Sequence, residues 1–203
     1  MDSFGRNKDF RIMIEKKHII KIQISNYHIK IIHRYAELLC IGGKSQLRKN
    51  RRDRMDNLLL DQIVGQVGQF ALCWWKDGCD KEFLNTAYYQ SFFKDRNGSD
   101  GGHDIARAQV DIKTSMARIE GRDLLDYNLI VAPKEYRENW TYVFGLVKPF
   151  NPAQFLKLDN IECHLIGWKS SNDMTIQNSG MFAGNFVTPA HELEPLIPLK
   201  YLE

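Results

Sequence analysis

The stretch from Met55 to Trp75 restricts the fold more than any other part of the chain. Its residues Leu59, Leu60, Ile63, Val64, Val67, Phe70, Ala71 and Trp74 recur at the spacing of one helix face. The same segment carries Gly65 and Gly68, and a glycine inside a helix costs roughly 1 kcal/mol relative to alanine. A helix that keeps two glycines needs a reason for them. Either another backbone approaches closely, as when a helix lies tightly on a sheet, or the face that carries them borders a site. Gln62, Gly65, Gln66 and Gln69 form that face, a stripe of small and amide residues beside the apolar one.

The material for a sheet lies downstream. His103–Ala106, Gln109–Met116, Tyr127–Ala132, Thr141–Val147 and Ile161–Trp168 are runs of strand length separated by turn and loop chemistry. Upstream, Ile19-Ile20-Lys21-Ile22-Gln23-Ile24 reads as a short strand. After Ser25-Asn26 the period changes, and Ile29, Ile32, Tyr35, Ala36 and Leu39 predict a helix that ends at Gly42-Gly43. His28 and His33 are five apart on that helix, which puts them on different faces and argues against a shared metal. Residues 76–102 are irregular, and their aromatics Phe83, Tyr88, Tyr89, Phe92 and Phe93 are candidates for base stacking or, more simply, for packing. The tail from Gly180 carries Phe182, Phe186, Leu193, Leu196, Ile197 and Leu199, enough apolar surface to fold back onto the core.

Charge is unevenly placed. Residues 1–60 hold 14 Lys or Arg against 6 Asp or Glu, whereas residues 61–203 hold 14 against 19. The basic excess peaks in Lys44-Ser-Gln-Leu-Arg48-Lys49-Asn-Arg51-Arg52-Asp-Arg54. Such a run is either a solvated connector or a surface for a polyanion, since clustered cations release counterions from nucleic acid without reading its sequence. With 43% hydrophobic and 26% charged residues, the chain does not have the composition of a disordered or collagenous protein. Cys40, Cys73, Cys79 and Cys163 are too scattered for a disulfide framework and lack zinc-ligand spacing, so they read as reduced thiols. No stretch approaches the roughly 18 apolar residues of a membrane span, and the first residues lack the apolar core of a secretory signal. The expectation is a protein that stays in the compartment where it is made.

Chemistry concentrates in His103-Asp104-Ile-Ala-Arg-Ala-Gln-Val-Asp111-Ile112-Lys113-Thr-Ser115. A two-residue hairpin turn at Arg107-Ala108 would set Asp104 opposite Asp111, with Cβ atoms about 4.5–5.5 Å apart. Opposed like charges are destabilising unless something offsets them, and a hard divalent cation does so. Strand alternation puts Asp111 and Lys113 on one face and Ile112 on the other. Two acids, a lysine and a cation suit phosphodiester hydrolysis. The plainer alternative is an edge ion pair between Asp111 and Lys113, with Asp104 capping a turn.

The Asp104 … Asp111-Ile112-Lys113-Thr-Ser arrangement, preceded by the helix Val64-Gly-Gln-Val-Gly-Gln-Phe-Ala71, resembles the PD-(D/E)XK nuclease superfamily over roughly Leu58 to Trp168. The resemblance implies a restriction-endonuclease-like α/β fold, a central mixed β-sheet flanked by helices. Residues 58–203 would form this core, with 1–57 as a mainly helical N-terminal extension that presents the basic segment, the whole making one compact domain. It implies Mg²⁺-dependent hydrolysis of DNA, with Mn²⁺ as a substitute. Asp104, Asp111 and the backbone carbonyl of Ile112 would be metal ligands, and Lys113 the catalytic lysine, helping to activate water and to neutralise charge on the phosphate. Lys44, Arg48, Lys49, Arg51, Arg52 and Arg54 would hold the backbone of double-stranded DNA, and cutting both strands would call for a homodimer. Restriction or phage DNA processing is the implied setting, hence a cytoplasmic, prokaryotic or phage-encoded protein.

Two positions depart from the family pattern. His103 stands where proline is common. Gln69 stands where a Glu is expected after glycine, and an amide can orient water or offer an oxygen but carries no charge. Gln69 therefore enters the candidate catalytic set as a substitute. It also motivates an alternative of another class, a nucleic-acid-binding module of the same fold with weak or no catalysis. An RNA-directed nuclease is a third reading, because phosphate chemistry does not choose the sugar.

Overall fold

The computed structural model describes residues 14–41, 55–85 and 109–196. The chain runs β1 (Ile20–Ser25), α1 (Asn26–Ile41), α2 (Met55–Asp77), β2 (Val110–Met116), β3 (Asn128–Val131), β4 (Thr141–Val147), β5 (Asn160–Ser170) and β6 (Phe186–Pro189), with short 3₁₀ turns between. It is an α/β fold around a four-stranded mixed sheet of order β1-β5-β4-β2. β1 and β4 each run antiparallel to β5, and β2 runs parallel to β4. β3 and β6 form a separate antiparallel ribbon.

β4 explains the layering. Its Tyr142-Val-Phe-Gly-Leu-Val147 run is buried throughout, as expected for a strand covered on both faces. Val143 and Val147 join a core with Ile63, Val67, Phe70 and Ala71 of α2 and with Ile29, Ile32 and Ala36 of α1. Tyr142, Phe144 and Leu146 join a second core with Leu129 and Val131 of the ribbon. Helices thus cover one face of the sheet and the ribbon the other.

β1 and α1, which the sequence assigns to an extension over 1–57, are built into this unit. β1 pairs with β5 from Ile20↔Leu165 to Ser25↔Asn160. Where β1 turns into α1, Asn26 donates its backbone N–H to the Asp159 carbonyl at 2.9 Å and its side-chain amide to the Leu158 carbonyl at 2.7 Å. The helical period read from the sequence matches the buried residues of α1, Ile29, Ile32, Ala36 and Leu39. His28 packs against Phe70 and Trp74 with Nε2 3.3 Å from Asp80. Phe83 is fully buried against Tyr35 and Phe70, so its role is packing.

The two helix glycines separate. At Gly68 a Cβ would lie 1.8 Å from Thr114 Oγ1 and 2.8 Å from Thr114 Cβ, so only glycine lets α2 sit this close to β2. Among the described residues nothing lies within 4 Å of the corresponding point at Gly65, and none of them makes a close approach there. The tail folds back through Leu196, while Ile197 and Leu199 lie outside the described residues. Trp168 and Glu194 exchange two backbone hydrogen bonds of 2.9 Å, and Leu193 and Leu196 are buried. Gly167 permits this docking, since a Cβ there would meet the Glu194 carbonyl oxygen at 2.7 Å. Cys73 and Cys163 are buried, and burial pushes the Cys163 thiol up to about 12, which leaves it protonated and unreactive. Among the described residues no helix is long and apolar enough to cross a membrane.

Gly68→Ala is predicted to destabilise the fold by roughly 1–3 kcal/mol, the usual cost of overpacking. Adding Thr114→Ala should restore part of that loss in a urea melt, because it removes the nearest atom and leaves the Thr114 Cβ position occupied. Equal midpoints for wild type and Gly68→Ala would contradict the close contact.

Candidate active site

β2 brings Asp111 and Lys113 together as its alternation requires. They lie on the ribbon side of the sheet, level with Tyr142 and Phe144 of β4, while Ile112 points into the helix-side core. Lys113 Nζ is 2.7 Å from Asp111 Oδ2. It is also 3.2 Å from Oε2 of Glu135, a residue the sequence reading passed over. The side chains of Asp111 and Lys113 are mostly covered, at 14% and 21% exposure, and Glu135 is more open at 38%.

Burial by itself would lower the Lys113 pKa, but the charges of Asp111 and Glu135 outweigh it, so the pKa stands above the ordinary lysine value. Lys113 is therefore a firm ammonium at neutral pH. A raised folded-state pKa means that this pairing stabilises the fold fully through neutral pH. It is lost only as pH rises past the folded-state value, above 10.5.

Tyr142 supports the cluster from below. Its ring centroid is 6.0 Å from Lys113 Nζ, the outer limit of a cation–π contact. Its hydroxyl donates to the Glu135 carbonyl at 2.8 Å and accepts from the Arg137 N–H at 2.9 Å. Burial pushes the phenol pKa up, so it remains a donor. The loop bearing Glu135 is tied further by Glu135 N–H to the Ala132 carbonyl at 2.8 Å. The Tyr136 ring stacks on Phe186 with centroids 3.9 Å apart, and the Tyr136 hydroxyl donates to the Ser171 carbonyl at 3.1 Å.

Gln69 belongs to the helix that covers the opposite face of the sheet. It is 1% exposed, and its Oε1 accepts from Gln66 Nε2 at 3.1 Å. The structure thus pairs it with Gln66 and not with Asp111 or Lys113. Among the described residues Gln66 Oε1, Gln69 Nε2 and Thr114 Oγ1 are buried without hydrogen-bond partners, on the helix side of the sheet. His103, Asp104 and the basic residues Lys44, Arg48, Lys49, Arg51, Arg52 and Arg54 lie outside the described residues. So do the Asp104–Asp111 hairpin and the strand expected at 103–106.

The donor placed at the β2 site is the Asp111 carboxylate, an oxygen donor of the kind that suits hard cations like Mg²⁺. Among the described residues no group of three or more His, Cys, Asp or Glu could hold a metal ion by itself. Two clefts lie elsewhere. One of about 420 Å³ is lined by Asp61, Val64, Thr114, Ser115, Met116 and Arg118. The other, of about 510 Å³, includes Lys16 paired with Asp123 and Lys21, which pairs with nearby Glu162. No family model matches the chain, and no curated protein or solved structure matches it either.

Tyr142→Phe removes both hydroxyl contacts and leaves the Glu135 carbonyl and Arg137 amide without that partner. The expected cost is roughly 1–3 kcal/mol, with faster hydrogen exchange at the Arg137 amide. Unchanged stability and unchanged exchange would mean that the hydroxyl does not hold the loop.

Proposed function

We propose that the chain is a Mg²⁺-dependent nuclease of the PD-(D/E)XK type that hydrolyses phosphodiester bonds in DNA. The observation that carries this reading is the placement of Asp111 and Lys113 side by side on one face of β2, with Nζ 2.7 Å from the carboxylate. The mixed sheet with α2 pressed onto its other face supports a restriction-endonuclease-like arrangement.

Asp111, the Ile112 carbonyl and Asp104 would hold the cation. A hard divalent cation, when bound, lowers the pKa of a water and polarises the phosphoryl oxygens. Lys113 meets the charge that develops on the phosphate. It acts there as a cation and hydrogen-bond donor, and helps to activate the attacking water. Lys44, Arg48, Lys49, Arg51, Arg52 and Arg54 would neutralise backbone phosphates of double-stranded DNA, positioning it without reading bases. A homodimer would supply the second centre for the second strand. One observation favours the alternative of a binding module with little catalysis: the α2 amide Gln69 is bonded to Gln66 and adds no charge beside Asp111.

Incubation of supercoiled plasmid, linear duplex and RNA with Mg²⁺ or Mn²⁺ tests this reading. The wild type should nick or cut DNA, and Asp111→Ala and Lys113→Ala should each lower the rate by roughly 10²–10⁴-fold. Cleavage that persists in both variants would overturn the assignment. Binding without cleavage by the wild type would favour the module, and cleavage of RNA alone would redirect the substrate.

A further inference from the structure

Lys113 sits between two carboxylates of different origin. Asp111 comes from its own strand at 2.7 Å, and Glu135 comes from the loop after β3 at 3.2 Å. An ammonium has three donors and can serve both acids at once. The arrangement carries one surplus negative charge, and the two acids have unequal demands on them. If Asp111 turns its oxygens to a divalent cation, as the proposed function requires, its hold on Lys113 weakens and the cation repels the ammonium. A lysine on four methylenes would then leave the point of reaction unless a second anion kept it there.

Glu135 is built to be that second anion. Its backbone is fixed at both polar groups, the carbonyl by the Tyr142 hydroxyl and the N–H by the Ala132 carbonyl. The next residue is locked by the Tyr136–Phe186 stack. The tyrosine that fixes the loop also has its ring under the Lys113 ammonium, so loop, ring and lysine form one unit. We infer that Glu135 is a positioning residue that holds Lys113 in place and frees the Asp111 carboxylate for a divalent cation. This rests on the nuclease reading and adds a carboxylate that the Asp-x-Lys pattern does not contain.

The test combines binding of Mn²⁺ alone, measured by water-proton relaxation or calorimetry on the full chain, with plasmid cleavage. Residues that support a metal ligand indirectly typically change affinity or activity by roughly 10–100-fold. Glu135→Gln should therefore weaken Mn²⁺ binding by about 10-fold, because Lys113 then competes undivided for Asp111. It should lower kcat by a similar factor with KM for DNA unchanged. In the Lys113→Met background the same change should no longer lower kcat further, and Mn²⁺ affinity should return toward that of the wild type. Glu135→Asp, which keeps the charge, should fall between Glu135→Gln and wild type. Mn²⁺ affinity and kcat that are unchanged in Glu135→Gln, while Asp111→Ala abolishes both, would overturn the role of Glu135 and leave the nuclease reading standing. So would equal losses from Glu135→Gln with and without Lys113. A wild type that neither binds Mn²⁺ nor cleaves would overturn the nuclease reading itself, and this inference with it.

Discussion

Tyr142 stands on the central strand with its ring in the ribbon-side core and its hydroxyl bonded on two sides, to the Glu135 carbonyl and the Arg137 amide. A buried phenol without such partners would lose more by desolvation than its ring gains by packing, so the hydroxyl must find backbone groups within reach. Residues 133–137 supply them. That loop consequently carries Glu135 to Lys113 of β2, whose ammonium lies over the tyrosine ring and between the two carboxylates. Strand order matters here too. Because β2 and β4 are parallel neighbours, Asp111 is level with Tyr142, and the acid, the lysine and the tyrosine share one face.

The electrostatics of this cluster differ from those of a surface ion pair. Exposed pairs contribute little because water screens them and side-chain entropy opposes them. Asp111 and Lys113 are largely covered, so the screening is weaker and the lysine is held in its charged form. Two acids facing one lysine leave one surplus negative charge among these three side chains. The sheet's other face has a different imbalance. There Gln66, Gln69 and Thr114 bury polar atoms with no partners among the described residues, close to the glycine that brings α2 onto β2.

Much of the frame was legible in the sequence, because burial imposes a period that survives in residue order. The apolar stripe of α2, the alternation in β2 and the unbroken apolar run of β4 each report their surroundings directly. Asp111 and Lys113 were legible for the same reason, since residues two apart on a strand share a face. Glu135 was not. It lies in an ordinary charged turn, Pro133-Lys-Glu-Tyr, and reaches the site only through the tertiary bond from Tyr142, which no local pattern encodes. The pairing of β1 with β5 was equally hidden, because partners some 140 residues apart leave no mark on either strand's own period. Gly65 and Gly68 look alike in sequence, and only the packing of Thr114 tells them apart.

On the function proposed above, a divalent cation binds at the β2 face carrying Asp111 and Lys113. Titrating Mn²⁺ into the ¹⁵N-labelled protein tests it most directly, because the ion broadens the amide signals nearest to it whether or not a substrate is present. Broadening should centre on Asp111, Ile112 and Lys113, extend to Glu135 and be abolished by Asp111→Ala. Broadening centred on the cleft that includes Lys16, Lys21 and His164, or no localised broadening at all, would contradict it.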